Sequence, residues 1–423
     1  MAETFFRTST PSGTEILIEP LSHVRSCSVG FWVRRGSIHE GPNEEGLAHF
    51  IEHTVFKGTE RFPNPEALSA ATDALGGNVD AFTGKETACF YGKVLREQLP
   101  DLVELLGDLV TTPRFDSAEL IRERSVILEE IAQSEDQADD WVSELFYLNF
   151  WKGGALAHPI LGRPEQVAKF GSDEARAFFR KTYRAPNLLI AAAGDIEVEP
   201  FLNLLQPILD RLPNGPAEPA LPLSAPAPFI LNTPRKDLQQ ASLILGFPAP
   251  GHRHRDRTAV NLLSHVLGGG MSSRLFMELR EKHALCYQIG SYLTHYGDTG
   301  ALQIMASCAA DKARELVQRA TVECMRLADQ GATQEELDRA KLQARTSLVF
   351  SQESTSARMF TLAHQAIHMD RILDLDGQVQ EIDAVDLEHL NRVASDILKP
   401  SVMAVSALGT KKNGAIRKQD LAG

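Results

Sequence analysis

Apolar positions recur along this chain with two periods, and each change of period marks an element. Compact apolar or alternating runs at 15–18 and 26–33 predict strands. A largely apolar segment follows, from Gly46-Leu47-Ala48 to Thr54-Val55-Phe56, with helical spacing. A helix is expected over 65–75, stopped by Gly76-Gly77, then an extended run over 78–94 and a helix over 99–110. Asp116 with Glu119 has capping-box spacing and opens a helix through Ile131.

The order then repeats. The second half predicts a strand at 240–246, a helix at 258–267, strands at 286–293 and 302–308, and a helix at 312–328. Thr333 with Glu336 repeats the capping box before a helix through Leu348. Between the halves, 211–229 carries Pro213, Pro216, Pro219, Pro222, Pro226 and Pro228, too dense for a helix. The expected fold class is α+β: two homologous α+β halves, read as a gene duplication and joined by a Pro-rich linker. The expected division is 1–210, linker 211–229, and 230–423.

One helix carries unusual chemistry. In His49-Phe50-Ile51-Glu52-His53 the two histidines are i and i+4 and Glu52 is i+3, so all three share a face. His49 and His53 can hold one zinc ion, and Glu52 can take a proton from a water at that ion. Three polar side chains in an apolar helix are costly to bury unless something satisfies them, and a metal does so. Catalytic zinc wants a third protein ligand. Glu123, Glu129 and Glu130 on the capped helix form the pool. Glu123 and Glu130 lie two turns apart on one face, while Glu129 is rotated about 100° from Glu130. The repeat supplies a control: Asn261-Leu262-Leu263-Ser264-His265 occupies the motif's place in the second half, without the first histidine and the glutamate. That half is expected to bind no metal, with His265 an ordinary packed histidine.

Composition narrows the classes. The chain has 423 residues, 43% hydrophobic and 23% charged, as in globular proteins of more than one domain. A net charge of −13 disfavours nucleic-acid binding. No apolar run reaches the ~18 residues of a membrane span, and residues 1–14 show no secretory or mitochondrial signal pattern. No nucleic acid and no membrane are expected as partners, and a cytoplasmic location is the expectation. Cys27, Cys89, Cys286, Cys308 and Cys324 are scattered and odd in number, which reads as reduced buried thiols. Gly268-Gly269-Gly270 lacks the Lys-Ser/Thr of a phosphate loop. His252 and His254 are expected in a solvated basic turn.

These motifs resemble the M16 family of zinc peptidases, the pitrilysin, insulysin and mitochondrial processing peptidase type. That family has His-x-x-Glu-His followed, about 75 residues on, by a glutamate. The stretch from Glu123 to Ile131 resembles the family's segment around that last ligand. The resemblance implies a ligand role for Glu130 and a supporting carboxylate at Glu123; Glu129 falls where the family varies. Gly46 to Phe50 and Phe56 to Thr59 resemble the motif's flanks, and Tyr183, Asn187 and Gly194-Asp195 the strand closing the first half. Gly268 to Phe276 is similar to the family's second-half glycine segment. Asp80-Ala81-Phe82-Thr83 resembles the substrate-side edge strand, with Asp80 where the family commonly has Asn, so an amide donor is absent. Arg280 and Tyr287 match an Arg-Tyr pair that reaches the substrate in active members.

The resemblance covers nearly the whole chain, and its length is that of the processing-peptidase subfamily. It implies half of a clamshell dimer enclosing a peptide-sized chamber, one Zn2+ per chain, and a homodimer, with a heterodimer of related chains the other arrangement. The implied activity is a zinc metalloendopeptidase acting on peptides or short unfolded polypeptides, with Glu52, Arg280 and Tyr287 catalytic. The alternative is a non-catalytic or partner-dependent subunit of a processing peptidase or assembly complex.

Overall fold

The computed structural model describes residues 5–216, 221–369 and 371–421. It contains two mixed sheets. The first is built from β1 (Phe6–Ser9), β2 (Glu15–Pro20), β3 (Ser26–Val33), β4 (Asn78–Thr83), β5 (Ala88–Leu95) and β6 (Leu188–Gly194), in the order β1-β2-β6-β3-β5-β4. The second is built from β7 (Ile230–Thr233), β8 (Gln240–Pro250), β9 (Cys286–His295), β10 (Thr299–Ala309) and β11 (Ala404–Leu408), in the order β7-β11-β8-β10-β9. Without β1, the two orders correspond strand for strand. So do the directions: β2 is parallel to β6 as β7 is to β11, and every remaining pair is antiparallel.

The strand residues sort by face with period two. In the first sheet Ile16, Ile18, Val29, Phe31, Val33, Phe90 and Ile190 face a core filled by helices Leu47–Val55, Leu99–Thr111 and Ser172–Thr182. Leu17, Trp32, Cys89, Leu189, Ala191 and Ala193 face the other way, onto Met359, Leu362 and Ala363 of helix Thr355–His368. Both faces being covered, β3 and β6 read as continuous apolar runs. At the edge, β4 alternates exposed Asn78, Asp80 and Phe82 with half-buried Val79, Ala81 and Thr83.

The second sheet is built likewise. Leu243, Leu245, Phe247, Leu302, Ile304 and Val405 join a core with helices Arg257–Gly268, Ala313–Gln330 and Leu387–Ile397. Helix Ala138–Phe150 packs on β8 and β11. There Phe146 lies so close to Gly246 that a Cβ on that glycine would sit 2.3 Å from the ring.

The compact units therefore differ from the division by halves at 211–229. The first unit comprises 1–132, 158–222 and 350–374; the second comprises 133–157, 223–349 and 375–423. Each sheet has two apolar faces, and its own half supplies helices for one. The chain completes each sheet with a helix from the other half, Thr355–His368 for the first and Ala138–Phe150 for the second.

Other expectations hold in outline. Among the described residues of the linker, 212–216 and 221–229 form no helix or strand; 217–220, with Pro219, lie outside the description. The capping box at Thr333 is reciprocal: the Thr333 amide donates to Glu336 Oε2 (2.8 Å) and the Glu336 amide to Thr333 Oγ1 (3.2 Å). The run expected over 78–94 is two strands, because Gly84 and Thr87 close a hairpin between β4 and β5. All five cysteines are buried and free. His252 is 8% exposed, not solvated, its amide bonded to the Tyr296 carbonyl. Among the described residues no helix is long and apolar enough to cross a membrane.

Candidate metal centre

The motif helix, Leu47–Val55, buries Leu47, Phe50, Ile51 and Val55 against the first sheet. Its start is fixed by two devices. Gly46 has φ +96°, and a Cβ there would lie 2.8 Å from the Gly162 Cα, so the backbone approach requires glycine. The buried Glu40 carboxylate takes the amides of Gly46 and Ala48, each at 2.8 Å. Burial pushes that carboxyl up to about 8 against the pull of the two amides and Lys85. Lying six and eight residues before its partners, Glu40 has no capping spacing that sequence reasoning could have used.

The opposite helix face carries the polar groups. The His49 and His53 rings lie with centroids 4.5 Å apart, tilted 60° to one another. Glu130 Oε2 lies 3.8 Å from His49 Nε2 and 3.4 Å from His53 Nε2. The other nitrogen of His53, Nδ1, is 2.8 Å from Glu123 Oε1, and Glu123 Oε2 is 2.8 Å from Lys57 Nζ. Helix Ser117–Asp136 thus delivers both carboxylates of the two-turn pair to one place, while Glu129 is exposed. Glu52 lies beside the histidines and accepts a 2.5 Å hydrogen bond from Thr83 Oγ1 at the end of β4.

Electrostatics separates the groups. Burial, with the neighbouring His53 charge, lowers His49 to about 3, so its imidazole is neutral and able to ligate. Burial would lower His53 too, but the Glu123 hydrogen bond and the Glu130, Glu123 and Glu52 charges outweigh it and raise its pKa. Burial would raise Glu123, yet its bonds to His53 and Lys57 hold it below the usual carboxylate range. Burial raises Glu52 in spite of the Thr83 hydroxyl.

The residues fit a zinc ion. Two imidazole Nε2 atoms face one carboxylate oxygen, and a second carboxylate holds one histidine through Nδ1, the usual arrangement around catalytic zinc. His49 Nδ1 is buried without a hydrogen-bond partner. Ligation through Nε2 would offset the cost of burying that ring.

Of the remaining expected site residues, Asp80, Ala81, Phe82 and Thr83 lie on β4, an edge strand as expected. Asp80 Oδ1 takes its neighbour's amide, that of Ala81 (2.8 Å), and Tyr91 donates to Oδ2 (3.3 Å). Arg280 and Tyr287 come together in the second unit, whereas every other site residue belongs to the first. The Arg280 guanidinium lies 4.5 Å from the Phe276 ring centre and 5.0 Å from that of Tyr287. Arg280 sits in a π-helical turn, Phe276–Lys282, and Tyr287 on the edge strand β9 is 77% exposed. They line a cavity of about 280 Å³ with Tyr292, Met305 and Asp139.

A histidine pair facing carboxylates from a second helix, beside a mixed sheet, is a donor set that could hold a zinc ion. Comparison with known proteins makes the class specific. Residues 15–164 match the family described as Insulinase (Peptidase family M16), and residues 169–344 match the Peptidase M16 inactive domain. An uncharacterized zinc protease of Streptomyces coelicolor is 33% identical over 416 residues, 96% of this chain and 90% of that protein. The uncharacterized zinc protease YmxG of Bacillus subtilis is 33% identical over 397 residues, 92% and 95% of the two chains. The chain belongs to the M16 peptidase family. In fold it is similar to a protease from Helicobacter pylori (TM-score 0.90, 20% identity, covering 96% and 100% of the two chains). It is equally similar to a peptidase M16 inactive domain from Pseudomonas fluorescens (TM-score 0.90, 21% identity, 96% and 98%).

Proposed function

We propose that this protein is a zinc metalloendopeptidase that cuts peptides or short unfolded polypeptides. One observation carries the reading: Glu130 faces the Nε2 atoms of both His49 and His53, while Glu123 holds His53 from behind. The relatives' description as zinc proteases, though uncharacterized, supports the same activity.

In this reading His49, His53 and Glu130 hold one zinc per chain. Bound zinc supplies Lewis acidity, polarising a scissile carbonyl and making water a nucleophile at neutral pH. Glu52 takes the proton of the attacking water and returns it to the leaving amine. Thr83 fixes one of its oxygens, so the other is presented in a single direction. Burial raises the pKa of Glu52, which helps it carry that proton between the two steps. The free edge of β4 holds an extended peptide by main-chain pairing, which aligns many sequences without demanding one. Arg280 binds a substrate carbonyl and Tyr287 stabilises the developing oxyanion.

The shared strand order of the two sheets supports a duplicated ancestor; in this reading the second copy binds no metal. The assembly in this reading is a homodimeric, cytoplasmic clamshell enclosing a chamber. The test is cleavage of a mixed peptide library with chelator and with zinc restored. Cleavage that chelator stops and zinc restores supports the reading. Cleavage indifferent to chelator overturns it.

A further inference from the structure

We propose that His364 and His368 form a second transition-metal site, on the far side of the first sheet from the motif helix. In His364-Gln365-Ala366-Ile367-His368 the two histidines are i and i+4 on helix Thr355–His368. Their ring centroids lie 5.0 Å apart, against 4.5 Å for His49 and His53. A ligand nitrogen of one lies within 4.8 Å of a ligand nitrogen of the other. That spacing suits two imidazoles on one ion.

A carboxylate completes the likeness. Glu86, from the hairpin between β4 and β5, places Oε2 3.5 Å from His368 Nδ1. Glu123 stands in the same relation to His53, at 2.8 Å. A carboxylate on Nδ1 sets the ring's orientation and makes Nε2 the ligating nitrogen.

The scaffold is firm. Met359, Leu362 and Ala363 bury the helix against the sheet. Gln365 clamps the following chain, its Oε1 accepting from the Leu373 amide (2.8 Å) and its Nε2 donating to the Leu373 carbonyl (3.2 Å). The pair sits in the helix's last turns, where the carbonyl ends favour a cation. His364 is exposed and His368 half-buried, so an ion reaches them from solvent. A donor set with at least two imidazoles selects zinc, nickel or copper over magnesium or calcium.

The test is metal stoichiometry on the full chain, by equilibrium dialysis against zinc and, separately, nickel. Two equivalents are expected for the unaltered protein. One is expected for His364→Ala with His368→Ala, with the melting temperature in metal-free buffer and the rate of peptide hydrolysis unchanged. His364→Ala alone, at an exposed position, keeps the test sound should the double variant fold poorly. Glu86→Gln should retain two equivalents but weaken the second by about tenfold. An unaltered protein whose bound metal is the same in amount as that of His364→Ala overturns the proposal. Because stoichiometry is the readout, the result stands apart from whether the His49 centre is catalytic.

Discussion

The two sheets share one strand order, yet the helix of His49, Glu52 and His53 and the carboxylates it meets belong to the first unit. Aligning the helix of His49 with Arg257–Gly268, and the capping box of Asp116 with that of Thr333, shows how. Asn261 stands for His49, Ser264 for Glu52, Ala340 for Glu123 and Ser347 for Glu130; only His53 has a counterpart, His265. In the first unit a buried and a half-buried imidazole are met by two carboxylates. In the second, His265 Nδ1 is buried without a hydrogen-bond partner, burial alone lowers its pKa, and Ser264 bonds to Ser291 instead (2.9 Å). The space between His265 and helix Gln334–Ser351 is a cavity of about 10 Å³, lined by Ser273, Glu336 and Gln343. The fold thus supplies a helix on a sheet facing a capped helix, and the chemistry resides in four side chains added to that frame.

That contrast can be broken most forcefully at its shared histidine. His53→Ala should abolish zinc binding at the centre and bring hydrolysis to background, whereas His265→Ala should change neither; metal analysis beside a peptide assay checks both. Arg280→Ala and Tyr287→Phe come next. Each should lower kcat/KM by about 10- to 1,000-fold while leaving the zinc content of the His49 centre unchanged, since both lie in the unit without that centre. Thr83→Val removes the hydroxyl that fixes Glu52. A loss of about tenfold in kcat is expected, with KM and zinc content held and Thr83→Ser restoring the rate.

The last expected effect concerns stability and is one that both units share. Burial, reinforced by the Arg35 charge, lowers His39 to about 4. Burial lowers His295 to about 4 as well, with the charges of His252 and Arg257 adding to it. Folded, both rings stay neutral well below 6.5; unfolded, they take a proton near 6.5. The unfolded chain therefore binds more protons as pH falls. The associated stability is present above pH 6.5 and is lost as pH drops through 4, at about 1–3 kcal/mol per group. Denaturant unfolding at pH 7 and pH 4 should show this loss, and His39→Gln or His295→Gln should flatten it by one group's share.

Local spacing was enough to find the features that depend on it. The i, i+3, i+4 pattern of His49, Glu52 and His53 states its own face, and so does the pair Glu123 and Glu130; the Thr333 capping box appears where its spacing puts it, and Asp116 caps its helix through Oδ1, though without a return bond from Glu119. Features made by distant partners were not legible. Thr83 reaches Glu52 across 31 residues, and no pattern links them. Glu40 caps the motif helix from outside any capping register. The exchange of helices Ala138–Phe150 and Thr355–His368 escaped because an amphipathic helix announces that it needs a sheet, not which one. His252 looked solvated in its run of basic neighbours and is buried through tertiary packing that local composition does not encode.

The account rests on Glu52 being the base at a zinc centre it does not help to hold. The most direct measurement is zinc content and peptide hydrolysis on the same preparations of unaltered protein and Glu52→Gln. The account predicts equal zinc with hydrolysis lowered by about 100- to 10,000-fold. Equal zinc with undiminished hydrolysis would contradict it.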